Sequence, residues 1–388
     1  MTSGVPGLLN SSLRNVRIAA LPTLLAVFIL ASTFWNSSAK LAFYNSATFF
    51  ALFLCGSIAA NKMSFDSLLR ATSASLKLLI LVSWLAIAIG APAATGRGAD
   101  GSLITRGIFV HSNLFATVCA LALVTLAVEW VIRPQSRKFT AVWIAVAGVT
   151  LWVTDSRTGQ VTLAAAVLVV LAVEWVKKRN SRYRSVAVGV AGALGLAALV
   201  AENLSLSSLS MAMGRSADLT GRTEIWSATL REVERSPWLG GGFLTVWRDD
   251  SPVALRIRSS LGFRAAHAHN GYLDILLQLG IVGLVMFSAL VFLLIWRSYR
   301  SYLRERTVYF VWPIAIGIAL AVSNLSESRF TFAVAWLLMV TLYTKVLLLE
   351  PTKSRAAVEE CVVAGGASYT RQPVALQPSA PLADKKGL

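Results

Sequence analysis

Apolar runs of about 20 residues recur along this chain, each long enough to carry a helix across a hydrocarbon core of ~30 Å. They begin near Ile18, Leu41, Ala74, Ile108, Thr140, Val161, Ser185, Gly271, Val308 and Phe330. Hydrophobic residues make up 56% of the sequence and charged residues 14%, which leaves too little polar surface to cover a soluble globule. The expected fold is all-α: a polytopic transmembrane helix bundle of about ten spans.

One polar stretch interrupts this pattern. Residues 1–13 read as an N-terminal extension, 14–201 as spans one to seven and 202–268 as a large loop carrying short amphipathic helices. Residues 269–349 read as spans eight to ten, and 350–388 as a disordered tail rich in small residues and proline. Lys and Arg collect at Arg14 and Arg17, Lys62 and Arg70, Arg133 to Lys138, Lys177 to Arg184 and Arg297 to Arg306, at every second connection. Basic loops stay cytoplasmic, so both termini are expected inside and the large loop outside the cytoplasmic membrane. The first span is expected to be retained rather than cleaved as a leader.

The net charge of +17 is absorbed by those inside loops facing anionic lipid, so nucleic acid is not an expected partner. Cys55 and Cys119 fall in spans and Cys361 in the tail, which gives no disulfide pair. No His and Cys spacing suggests zinc, and Asp249 and Asp250, adjacent in sequence, read as solvated rather than as a metal cage. Gly240, Gly241 and Gly242 lack the lysine and strand-to-helix context of a nucleotide loop and read as a flexible turn after Pro237.

Candidate chemistry concentrates in and around the loop. Arg215, Arg222, Arg231, Arg235, Arg248, Arg256, Arg258 and Arg264 occur there without a single Lys. A planar guanidinium grips phosphate oxygens two at a time, although a chain-wide preference for Arg over Lys explains the same pattern. In GRTEIWSATLREVERSP, Ile225, Trp226, Thr229 and Val233 form one face of a helix and Arg222 lies on that side. On a membrane surface such a helix would aim Arg222 at the level of a lipid-linked phosphate; the alternative is snorkelling to solvent. Arg157, in the short turn TDSRTGQ, is either a functional cation or half of an Asp155 to Arg157 helix stop.

Asn270, Asp274 and Gln278 recur every four residues at the head of the eighth span, laying down a polar stripe expected to face a cavity. His269, just before it, is suited to general-base work because an unperturbed imidazole has a pKa of ~6.5. The less favoured alternative is an interfacial histidine beside an N-capping Asn270. His267 and His111 are weaker candidates for the same site.

GRTEIW, ERSPWLGGGF and AHNGYLDILLQLGIVGL, together with RGIFVHSNLFA and DSRTG, give the chain from about Arg106 to Gly283 a resemblance to the O-antigen ligase and O-antigen polymerase superfamily. These are membrane glycosyltransferases acting on polyprenyl-diphosphate-linked glycans. The resemblance implies an extracytoplasmic loop and an inverting, metal-independent reaction with no cofactor. It also implies three catalytic residues, Arg157, Arg222 and His269. Thr158 and Ser112 depart from the family pattern without touching those groups.

Arg215, Arg264, His267, Asn270, Asp274 and His111 are the expected substrate contacts. The partners expected are a lipid-linked glycan as donor, a second as acceptor, membrane lipid, and flippase and chain-length regulator proteins. Polymerisation is the preferred reading over ligation to another lipid or to protein. An anion transporter would collect substrate through the same arginines, but the sequence has neither repeated halves nor charges deep in most spans. A noncatalytic envelope scaffold is the third reading.

Overall fold

The computed structural model of the protein describes residues 19–36, 38–97, 103–178 and 220–349. Eleven α-helices carry almost all of it: α1 (Ala20–Ala31), α2 (Ala39–Lys62), α3 (Phe65–Ala88), α4 (Ser112–Ile132), α5 (Arg137–Val153), α6 (Arg157–Lys178), α7 (Thr220–Val233), α8 (Pro252–Leu261), α9 (Gly271–Glu305), α10 (Val311–Ser323) and α11 (Ala333–Leu349). A two-stranded hairpin, β1 (Thr95–Arg97) and β2 (Leu103–Thr105), joins α3 to α4. Among the described residues α2, α3, α4 and α9 are long and apolar enough to cross a membrane, and this all-α bundle is the expected fold class. The span beginning near Ser185 lies outside the described residues.

Helix boundaries follow local chemistry more closely than hydropathy. α3 begins nine residues before its apolar run at Ala74, because the Ser64 hydroxyl accepts from Ser67 N and caps a polar first turn. Asp66 in that turn pairs with Arg70 at 3.1 Å, one helical turn on. At the same end of the bundle wall, Lys345 donates to the carbonyls of Ala60 and Met63, closing the C-terminal end of α2.

The centre of the bundle is α4. Some 72% of its most apolar window is buried inside the protein, against 28% for α2 and 22% for α3, so α4 is walled by helices while the other two face outward. It packs on α3, α5, α6 and α10. Its polar side chains are satisfied internally, as membrane burial requires: Thr125 accepts from Trp312 Nε1 at 3.1 Å, and Glu129 takes Lys77 Nζ at 3.1 Å. Trp312, Trp336, Phe287 and Phe330 fill the adjoining core.

The glycine run after Pro237 is not a flexible turn. Gly280, inside α9, has φ 64 and ψ −167, which breaks the helical ladder. The segment 237–244 inserts at the break: Gly241 N and Gly242 N donate to the carbonyls of Leu277 and Gln278 at 2.9 and 2.8 Å, while Ile281 N donates to Pro237 O at 2.8 Å. Leu244 N donates to Gln278 Oε1 at 2.8 Å. A Cβ on Gly240, itself at φ +67, would stand 2.4 Å from the Gln278 carbonyl carbon, so glycine is required there by close backbone approach.

Candidate active site

The head of α9 is built by one side chain. Asn270 caps the helix, its Oδ1 accepting from Tyr272 N and Leu273 N at 3.1 Å each. His269 immediately before it adopts the left-handed conformation at φ 49, a position that costs a non-glycine residue energy and persists only where neighbours enforce it. The enforcement is visible on both sides. His269 N donates to His267 Nδ1 at 3.1 Å, Trp226 Nε1 donates to Ala268 O at 2.8 Å, and Ala268 N donates to Asp274 Oδ1 at 3.1 Å.

Asp274 is therefore a strut behind the site. Besides Ala268 N it accepts from Trp247 Nε1 at 2.8 Å and from the Ser328 hydroxyl, and only 1% of it is exposed. Of the stripe, Asn270 caps its own helix, while Asp274 and Gln278 bind loop backbone and loop side chains where the sequence pointed to a cavity.

The connection between α10 and α11 supplies what the sequence reading missed. Asn324 Oδ1 accepts from Arg329 N and Phe330 N at 2.9 Å, folding residues 324–330 into a compact turn. Asn324 O accepts from Gly271 N at 2.7 Å, which ties that turn to α9. The turn presents Glu327, 3% exposed, to four partners: Asn113 Nδ2 at 2.6 Å, His269 Nδ1 at 3.5 Å, Arg329 Nη2 at 3.6 Å and Arg222 Nη2 at 4.0 Å. Arg329 is equally buried and its Nε donates to Thr117 Oγ1 at 2.9 Å. The only hint in sequence was an acid and a base, SESR, in a short connection between two apolar spans.

Charge balance in this cluster is explicit. Burial pushes the Glu327 carboxyl up, but contact with His269 and the charge of Arg329 outweigh it and bring the group down to about 2. Burial holds His267 down at about 4, with the neighbouring His269 adding to the effect. His111 is lowered by burial as well. The His267 and His269 rings lie 3.9 Å apart between centroids, with His111 6.2 Å from His267.

These groups line a cavity of about 770 Å³, together with Arg106, Ser112, Glu224, Phe263 and Arg264. Arg222 enters it from α7. The apolar stripe of that helix, Ile225, Ala228, Thr229 and Val233, is buried, with Ile225 packed on Ala265 and Ala268 and with Ala228 and Val233 packed on Ile257 and Leu277. The stripe thus rests on protein, and Arg222 points at Glu327 rather than at a lipid surface.

Most other loop arginines are engaged within the loop. Arg256 holds Glu232 at 2.7 Å, Arg248 holds Asp250 at 2.8 Å, and Arg258 and Arg264 converge on Asp249 at 2.8 and 2.7 Å. Asp249 and Asp250 are exposed but paired. Arg157 is exposed at the first residue of α6, outside the cavity lining, although its neighbours Ser156 and Thr158 bond to Asn113 and Ser326 beside Glu327. Arg215 lies outside the described residues.

His267, His269 and Glu327 bring one ligand atom each within 4.8 Å of one another, a set able to hold a divalent ion. The donor set is already committed, however: His267 Nδ1 accepts a backbone N–H, and Glu327 serves an amide, an imidazole and two guanidinium groups. Cationic neighbours on that carboxylate favour an anionic ligand in the cavity.

Long apolar helices enclosing a polar, arginine- and histidine-lined cavity define an all-α polytopic membrane protein. Within that class residues 140–288 match the family model described as O-antigen ligase, and the chain resembles the O-antigen ligase and polymerase superfamily. It is 28% identical over 215 residues to an O-antigen ligase of Pseudomonas aeruginosa, covering 54% of this chain and 48% of that one. To the exopolysaccharide production protein ExoQ of Rhizobium meliloti it is 21% identical over 276 residues, covering 68% of this chain and 61% of the relative. The chain thus spans between about half and three fifths of the length of these curated relatives.

Proposed function

We propose that the protein is an inverting membrane glycosyltransferase that polymerises polyprenyl-diphosphate-linked oligosaccharide repeat units. The observation that carries this reading is the convergence of Arg222 Nη2 and His269 Nδ1 on one buried carboxylate, Glu327, in the wall of a single cavity. A leaving diphosphate needs positive charge beside it, and an attacking hydroxyl needs a base; the cavity has both.

His269 faces Glu327 through Nδ1, so its Nε2 is the nitrogen left for an acceptor hydroxyl. As the hydroxyl oxygen attacks the anomeric carbon, Nε2 takes its proton and the carbon–oxygen bond to the diphosphate breaks on the opposite face. The bonding pair leaves with the diphosphate, where Arg222 meets the charge. Glu327 fixes the imidazole orientation and stabilises the imidazolium that forms, the role of the buried acid in a nucleophile–base–acid triad. Apolar helices around the cavity hold the prenyl chains and fix donor orientation. Arg157, exposed beside the Ser156 and Thr158 contacts, would meet the diphosphate or lipid headgroup from outside the cavity.

The cavity gathers the N-terminal ends of α4 and α9 and the C-terminal turn of α10. The basic connections Arg133 to Lys138 and Arg297 to Arg306 lie at the opposite ends of these helices, which supports an extracytoplasmic site and cytoplasmic termini in the cytoplasmic membrane. Flippase and chain-length regulator proteins would be its functional neighbours.

A second reading, ligation of the glycan to another lipid or to protein, is favoured by the family description and by the printed name of the Pseudomonas relative. One experiment separates them. Purified protein is incubated with a synthetic lipid-linked repeat, beside Arg222→Ala. A ladder of lengthened lipid-linked product from the wild type alone supports polymerisation; transfer only after a different acceptor is added supports ligation. No transfer to any acceptor overturns both.

A further inference from the structure

Arg106 opens the RGIFVHSNLFA motif and lines the cavity, yet it takes no part in the Glu327 cluster. It follows β2, and its backbone is pinned: Arg106 N and Gly107 N both donate to Ala94 O, at 2.9 and 3.0 Å. Its side chain lies across the face of Gly96 in β1, so closely that a Cβ there would stand 2.5 Å from Nη2 and 2.8 Å from Cζ. Gly107, at φ +61, packs on Ser83 and Phe115 and fixes where the hairpin leaves the bundle. The guanidinium thus packs flat on the Gly96 backbone, and among the described residues no ion pair is formed by Arg106, whereas Arg248, Arg256, Arg258 and Arg264 each have one. A cation placed by a pinned backbone and a glycine face, with no counter-charge among the described residues and lining the same cavity as Arg222, has the features of an anion subsite.

We infer that Arg106 and Arg222 together form the diphosphate-binding pair of the cavity, Arg106 from the hairpin and Arg222 from α7, with the Gly96 face as the cradle that aims Arg106. This rests on the proposed function, since it assigns the leaving group of that reaction to a second guanidinium. Glu224 lines the same space but sits exposed at the start of α7, and Arg264 is held by Asp249. The ligand chemistry is a diphosphate anion, free or carried on a prenyl chain.

Binding without turnover tests this apart from catalysis. Wild type, Arg106→Ala, Arg106→Lys, Gly96→Val and Arg222→Ala are titrated in detergent with farnesyl diphosphate and, separately, with inorganic diphosphate. Losing one charge-assisted contact weakens binding roughly 10- to 100-fold, so Arg106→Ala and Arg222→Ala should each weaken farnesyl diphosphate by that factor. Arg106→Lys should recover part of the loss, and Gly96→Val should behave like Arg106→Ala while leaving the melting temperature close to that of Arg106→Ala. Unchanged affinity in Arg106→Ala with a loss in Arg222→Ala would overturn the pair and leave the glycosyltransferase reading standing. Loss in neither variant, or no binding by the wild type, would overturn both. Dependence on Arg106 for inorganic diphosphate alone would make this a free-anion site and overturn the lipid-linked assignment.

Discussion

Glu327 Oε1 stands 3.5 Å from His269 Nδ1 and accepts from Asn113 Nδ2 at 2.6 Å, joining the turn after α10, the head of α9 and the first turn of α4 at a single oxygen. An imidazole placed this way turns Nδ1 to the carboxylate and leaves Nε2 for substrate. Replacing Glu327 by Gln keeps the volume but removes the charge that stabilises an imidazolium. Turnover in Glu327→Gln should fall roughly 10²- to 10⁴-fold with little change in donor KM, measured with saturating lipid-linked donor. A kcat within a factor of two of wild type would end the assignment of Glu327 as the orienting acid.

The same substitution strands Arg329. With 3% of that residue exposed and Glu327 its ion-pair partner at 3.6 Å, an unpaired buried guanidinium results. Such a loss costs about 3–5 kcal/mol, so Glu327→Gln should melt well below wild type. The double variant Glu327→Gln, Arg329→Met should recover stability without recovering turnover. Recovery of both would mean that the pair serves packing alone.

Acid should loosen the fold in two stages. His267 is depressed to about 4, so the unfolded chain takes up that proton more readily, and its contribution is present above the unfolded value near 6.5 and lost as pH falls toward 4. Glu327, depressed to about 2, contributes above its unfolded value and loses that contribution as pH falls from about 4.5 toward 2. Melting temperature followed from pH 7 to pH 3 should decline through both windows, and His267→Gln should flatten the upper one. A His267→Gln profile parallel to wild type between pH 6.5 and 4 would contradict this.

Gly271 should tolerate no side chain. A Cβ there would stand 1.8 Å from Asn324 Oδ1, the atom that folds residues 324–330 around Glu327. Overpacking of this kind costs about 1–3 kcal/mol. Gly271→Ala should therefore lower both the melting temperature and the turnover, while Gly262→Ala at an open helix end lowers stability alone. Native turnover in Gly271→Ala would show that the turn can shift without disturbing the base.

Divalent metal should be dispensable. Of the nearest candidate set, His267, His269 and Glu327, the His267 Nδ1 and the Glu327 carboxylate are engaged by protein donors. Transfer rates after exhaustive chelation should match untreated enzyme, and a rate restored only by added Mg²⁺ or Mn²⁺ would require those ligands to be reassigned.

Hydropathy located the long apolar helices among the described residues, because apolar runs of membrane length have few other solutions. It misplaced the start of α3, where a serine cap and not hydrophobicity decides the boundary. Arg222 and His269 were legible from helical spacing and from a histidine beside a capping asparagine. Glu327, Arg329 and Asn113 were not, since each is an ordinary polar residue in its own segment and gains meaning only when α4, α9 and the turn after α10 meet. Asp274 was read as facing a cavity because periodicity reports which face a residue occupies but not what covers that face. The glycine run misled for a related reason: three glycines look flexible until the break at Gly280 shows that they fill a slot.

That slot sets an order of assembly. The wedge at 237–244 is synthesised before the α9 segment whose exposed carbonyls it must occupy, and it is also held by residues made much earlier: Ser32 by Phe243 N, Trp35 at the Leu239 carbonyl and Asn45 at the Leu244 carbonyl. The broken stretch of α9 cannot rest stably in lipid with those groups open. The head of α9, with the histidine before it, therefore locks only after the first and the last thirds of the chain have found each other. Nascent chains released before that point would carry a full set of early helices and no working end.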